Sequence, residues 1–258
     1  MSEEITSEEL PGASPFSAPG GPHGVLVIHG FTGNPISVRG LAEAFAAAGF
    51  AVELPRLPGH GTSVADMLPT RFSGWAAAVE ACYLELGERC DQVVVAGLSM
   101  GATLAAWLAA RSPRIAGLVL VNGLFQPAAE GFFELLRQAL AQGVDRLPAL
   151  GSDIADPEVA VQGYEAAPIE PLISLFEGMA DLYERLPDIR CPVLVMCSPQ
   201  DHVVPPVSSA VLAERVSGSV ERIDLERSYH VATLDYDKDL IEKRAVEFAL
   251  RVTAGRAR

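Results

Sequence analysis

VVVAGLSMGATLAAW, running from Val93 to Trp107, joins two unlike patterns at one corner. Its first part is an uninterrupted β-branched run, the pattern of a strand buried on both faces. Its last part is rich in Ala and Leu and predicts a helix. Between them stand Gly97, Leu98, Ser99, Met100 and Gly101, a G-x-S-x-G sequence. A serine on so sharp a strand-to-helix turn stands clear of the sheet, and a side chain at either flanking glycine would collide with the neighbouring strand or helix. Five-residue matches alone often arise by chance, and it is the strand-turn-helix context that makes this one predict a nucleophile.

The same alternation extends outward in both directions. GVLVIHG (24–30) reads as a buried strand, SVRGLAEAFAAAGF (37–50) as a helix, and AVELPRLPGHG (51–61) as a short strand running into a Pro/Gly loop. GWAAAVEACYLELGERC (74–90) has helical spacing, and IAGLVLVNG (115–123) and CPVLVMCSPQD (191–201) are strands. PVSSAVLAERV (206–216) is a helix, VERIDLERSYH (220–230) a strand and its exit, and KDLIEKRAVEFALRV (238–252) a terminal helix. Apolar strands separated by helices imply an α/β fold with a mostly parallel sheet covered on both faces. Six parallel strands are expected, or seven if residues 13–18 pair at an edge. Residues 124–190 break the rhythm: EGFFELLRQALAQ (130–142) and EPLISLFEGMADLYERL (170–186) read as helices, LPALGSDIADPEVAVQGYEAAP (147–168) is polar and turn-rich, and no strand is evident. The chain therefore reads as one domain, 1–258, with 124–190 inserted before the strand that ends at Asp201, outside the carboxyl edge of the sheet.

A serine hydroxyl is a weak nucleophile and needs a base, which an acid in turn orients, in the chain order Ser, acid, His. Two histidines follow Ser99. His230 sits on the exit of the last strand, where a loop can carry it over the serine. His202 directly follows Asp201, so their side chains cannot readily oppose each other, and it receives a structural or pocket-lining role. The assignment is Ser99 as nucleophile, His230 as base and Asp201 as orienting acid. The oxyanion of the tetrahedral intermediate needs backbone N–H donors. Met100 supplies one, and Phe31, in the loop HGFTGNP (29–35), the other. His29 and His60 are read as structural, the latter fixing its loop.

Composition limits the alternatives. A formal net charge of −14 argues against nucleic acid and leaves no polybasic anchor for anionic membranes. The four cysteines form no C-x-x-C pair and no His/Cys cluster has zinc spacing, so no metal site is expected. MSEEITSEELPGASPF at the N-terminus has no apolar h-region, and no apolar run is long enough to cross a bilayer, so a cytoplasmic protein is expected.

The segments HGFTGNP, LPRLPGHGTSVADM (54–67), GLSMGATL (97–104), DHVVPP (201–206) and SYHVATLDYDKD (228–239) resemble the α/β-hydrolase superfamily, and within it the bacterial monoacylglycerol lipases and their carboxylesterase relatives from bacilli. The resemblance implies hydrolysis of carboxylic esters of small lipid molecules without metal or cofactor. It also implies a cap over the site, which can touch lipid surfaces transiently. It carries over Ser99, Asp201 and His230 as the triad, Phe31 and Met100 as the oxyanion donors, and Phe31, Leu150, Val161 and Val203 as substrate contacts. Val161 stands where the resemblance leads one to expect a carboxylate facing the glycerol end of a monoglyceride; Glu158 and Glu165 are nearby alternatives, and neither position matches. Simple esters are the alternative substrates, with thioesters and peptides less favoured.

Overall fold

Seven strands form the central sheet of the computed structural model, which describes residues 8–148, 153–160 and 163–254. In chain order its elements are β1 (Phe16–Ala18), β2 (His23–Ile28), α1 (Arg39–Ala47), β3 (Ala51–Leu54), α2 (Val64–Met67), α3 (Phe72–Arg89), β4 (Gln92–Leu98), α4 (Met100–Ala109) and β5 (Gly117–Val121). Then follow α5 (Phe132–Ala141), β6 (Arg146–Pro148), β7 (Ala166–Pro168), α6 (Ile169–Arg185), β8 (Val193–Cys197), α7 (Val207–Arg215), β9 (Val220–Asp224) and α8 (Lys238–Thr253). The sheet order is β1-β3-β2-β4-β5-β8-β9. Only β1 runs antiparallel, pairing Phe16 with Leu54 at the edge, so the larger of the two strand counts expected from the sequence is the one found.

The continuous apolar strands are explained by burial on both faces. Leu26, Ile28, Val93, Val95, Leu118, Leu120, Val193 and Val195 point to one side, where Trp75, Val79 and Leu86 of α3 and Leu104 and Leu108 of α4 meet them. Val25, Val27, Val94, Ala96, Val119, Val121, Leu194 and Met196 point to the other, against Leu41 and Phe45 of α1 and Ile241, Ala245 and Phe248 of α8. Each buried side chain of this size contributes about 1.5–3 kcal/mol, so a polar residue at any of these positions works against the fold.

The stretch between β5 and β8 holds α5 and α6 near the expected bounds. It also holds a feature the sequence reading missed. β6 and β7 pair as a small antiparallel ladder, Leu147 opposite Ala167. Three-residue strands ending in proline carry too little alternation to be read locally. The stretch is tied to the main body by Arg71 with Glu170, by Arg111 with Asp181, and by the Phe72 N–H donating to Ser174 Oγ at 2.9 Å. Among the described residues no helix is long and apolar enough to cross a membrane.

Candidate active site

Strand β4 ends at Leu98 and helix α4 begins at Met100, so Ser99 alone makes the turn. Its φ of 56° and ψ of −122° lie where L-residues rarely sit, a conformation that costs about 1–3 kcal/mol and persists only where its surroundings impose it. They do. The Ser99 N–H donates to Val121 O at 2.9 Å, continuing the ladder toward β5, and Ser99 O accepts the Thr103 N–H at 3.1 Å, opening the helix. The flanking glycines are required by contact. A Cβ on Gly97 would lie 2.3 Å from the Gly101 carbonyl carbon, and one on Gly101 would lie 2.1 Å from Ile28 O. This close approach brings the end of β2, and the loop after it, alongside the serine.

Ser99 Oγ is 2.9 Å from His230 Nε2, and His230 Nδ1 is 2.7 Å from Asp201 Oδ2. With Nδ1–H donating to the carboxylate, Nε2 is the acceptor facing the serine O–H. Asp201 Oδ1 accepts the N–H groups of Val203 and Val204, both at 2.8 Å, so the whole carboxylate is held. The two side chains are nearly closed off from water, His230 at 7% exposure and Asp201 at 2%.

The loop after β2 lies against the serine: a Cβ on Gly30 would be 3.3 Å from Ser99 Cβ. His29 is buried beneath this loop, and burial pushes its pKa down to about 4, so it is neutral. Its Nε2 accepts the Leu57 N–H at 3.1 Å, which leaves the proton on Nδ1 to donate to Gly30 O at 3.0 Å. That carbonyl shares a peptide plane with the Phe31 N–H, so the histidine fixes the direction of the donor. His60, edge-on to His29 with ring centroids 5.1 Å apart, is pushed down to about 3 by burial and then by the neighbouring His29. Both histidines are structural, as their positions in the sequence led us to expect. Met100 N–H is the first of helix α4, among the amides that a helix start leaves without an internal partner.

Above the serine opens a cavity of about 840 Å³. Ser99, His230, Gly30, Phe31 and Met100 line it, together with Leu147, Phe132, Leu172 and Phe176 from the stretch between β5 and β8. Val203, expected as a substrate contact, lines it too, as does Glu165. Leu150 and Val161 lie outside the described residues. Glu158 is exposed and does not line the cavity. His202 is corrected in part: it is absent from the cavity wall, its side chain is 62% exposed, and it pairs with Asp153 at 2.8 Å. Sequence reasoning missed Asp153, Asp235 and Asn122, whose side chains bond to the loop carrying His230. Asn122 alone carried a signal, as a polar residue ending an otherwise apolar strand run. Among the described residues no group of three or more His, Cys, Asp or Glu side chains is placed to hold a metal ion.

The alpha/beta hydrolase family matches residues 25–243. A thermostable monoacylglycerol lipase of Bacillus sp. (strain H-257) is 44% identical over 251 residues, 94% of this chain and 97% of that protein. A carboxylesterase of Bacillus subtilis (strain 168) is 27% identical over 237 residues, 91% of this chain and 95% of that protein. Among solved structures, one from a study of two metagenome-derived lipolytic enzymes superposes with a TM-score of 0.89 at 40% identity, covering 95% of this chain and all of that one. Motif, sheet order and relatives agree, and the chain belongs to the alpha/beta hydrolase family.

Proposed function

We propose that the protein is a serine hydrolase of carboxylic esters, with monoacylglycerols as its preferred substrate class. The observation that carries the chemistry is the continuous hydrogen-bonded line from Ser99 Oγ through His230 to Asp201 at 2.9 and 2.7 Å. His230 Nε2 takes the serine proton as Oγ attacks the ester carbonyl carbon. The N–H groups of Phe31 and Met100 receive the negative charge that develops on the carbonyl oxygen. The protonated His230, stabilised by Asp201, then gives its proton to the departing alkoxide, leaving an acyl-serine. Water, deprotonated by His230, releases the fatty acid and restores Ser99.

The substrate class rests on the 44% identical monoacylglycerol lipase and on the cavity. Phe132, Leu147, Leu172 and Phe176 offer an acyl chain an apolar wall, and Glu165 offers a glycerol headgroup a polar partner. In this reading residues 124–190 act as a cap. The exposure of Leu135 and Val144, at 65% and 44%, supports contact of its outer face with lipid aggregates. A second reading, a carboxylesterase of simple esters, is favoured by Val161, which puts an apolar residue where a headgroup carboxylate was expected. A rate series separates the two. Monoacylglycerols should surpass ethyl esters of the same acid in kcat/KM, and Ser99→Ala should lower both by roughly 10⁴ or more. Equal rates on the two ester types would leave the simple-ester reading, and an active Ser99→Ala would remove both.

A further inference from the structure

Asp153 belongs to the inserted stretch, yet its hydrogen bonds go to the two loops that carry His230 and Asp201. Its Oδ2 accepts the His230 N–H at 3.2 Å and the His202 N–H at 3.0 Å, and its Oδ1 lies 2.8 Å from His202 Nδ1. Its own carbonyl accepts the Val231 N–H at 3.0 Å. One residue thus bonds to the backbone of His230, of the residue after it, and of the residue after Asp201. On the opposite side of His230, Asn122 Nδ2 donates to its carbonyl at 2.8 Å. Asn122 is buried at φ 47°, in the left-handed region that asparagine tolerates, and its side chain also bonds to Ser198 and Tyr229. Both backbone polar groups of His230 are therefore held by side chains from elsewhere in the chain. Asp235 repeats the pattern one step out, accepting the N–H groups of Tyr229 and Ala155 at 2.9 and 2.8 Å.

The imidazole reaches Ser99 from the end of a loop, so its aim is only as good as the fixation of its Cα. A displacement of about 1 Å in such a line lowers a rate by roughly 100-fold. We propose that Asp153 is a positioning residue: its carboxylate locks the His230 loop to the Asp201 loop, making the inserted stretch part of the frame that aligns the base. The proposal rests on Ser99, Asp201 and His230 being the reacting set, and that reading fails separately, through an active Ser99→Ala.

The test uses the full chain, a p-nitrophenyl ester, and titration of competent serines with a fluorophosphonate. Asp153→Ala should lower kcat per titrated serine by roughly 10- to 100-fold with KM unchanged, and slow phosphonylation by the same factor. Asp153→Asn keeps an oxygen acceptor for the two backbone N–H groups and should stay within about threefold of the parent. A merely structural role would lower the number of titratable serines and leave kcat per serine intact. That result, or Asn falling as far as Ala, would overturn the proposal.

Discussion

Ser99 and its neighbours show how closely local strain and contact are matched. The same substitution should have opposite signs at two helical glycines. A Cβ on Gly101 meets the backbone oxygen of Ile28 at 2.1 Å, so Gly101→Ala must push β2 and α4 apart. Overpacking of this kind costs about 1–3 kcal/mol or more. Gly87, within α3, has nothing within 4 Å of its would-be Cβ, and Gly87→Ala should stabilise by about 0.5–1 kcal/mol through helix propensity. Denaturant midpoints check both, and a Gly101→Ala as stable as the parent would contradict the contact argument. At this scale the sequence was informative wherever a residue acts through its neighbours. Gly97, Ser99 and Gly101 form one local pattern, and chain order singled out Asp201 and His230, which the fold joins to Ser99 in one hydrogen-bonded line. Asp153 was opaque because its partners lie 49 and 77 positions away, inside a turn-rich stretch where an aspartate is ordinary.

Helices α5 and α6, between β5 and β8, divide their apolar residues between packing and cavity. Phe132, Leu172 and Phe176 line the cavity, whereas Leu136 and Met179, equally apolar and on the same two helices, are buried away from it. Periodicity predicts the apolar face and not this division, which depends on how the two helices lean on one another. Phe132 and Phe176, with ring centroids 4.7 Å apart, form the seam. Each CH₂ of an acyl chain buried against such a wall contributes about 0.8 kcal/mol, close to fourfold in binding. Affinity should therefore climb with acyl length and stop where the cavity ends. Phe176→Ala should move that cut-off to longer chains and leave acetate esters nearly unaffected. A chain-length profile of kcat/KM identical to the parent's would show that the ring does not bound the acyl site.

Across the whole molecule, the buried pair His29 and His60 links stability to pH. Their pKa values are lowered from 6.5 to about 4 and about 3, so between those values and 6.5 the unfolded chain binds protons that the folded chain does not. Their contribution is complete above 6.5 and is lost as pH falls from there through the folded values. At about pH 5 the cost is about 2 kcal/mol for each histidine, which for a chain of this size lowers Tm by roughly 8–16 °C relative to about pH 7.5. A Tm unchanged over that interval would mean that the pair is not held neutral.

The two-faced sheet was legible because β2, β4, β5 and β8 each carry a continuous apolar run. The edge strand β1 was legible only as the alternative of a seventh strand, and the β6–β7 ladder was not legible at all, since three-residue strands owe their existence to partners distant in the chain.

If Ser99 is a nucleophile activated by His230, peptide mapping after fluorophosphonate labelling will find the reacted residue. A single adduct is predicted on Ser99, with labelling slowed by orders of magnitude in His230→Ala and nearly unchanged in His202→Ala. An adduct on any other residue, or labelling of Ser99 at the parent rate in His230→Ala, would contradict the proposal.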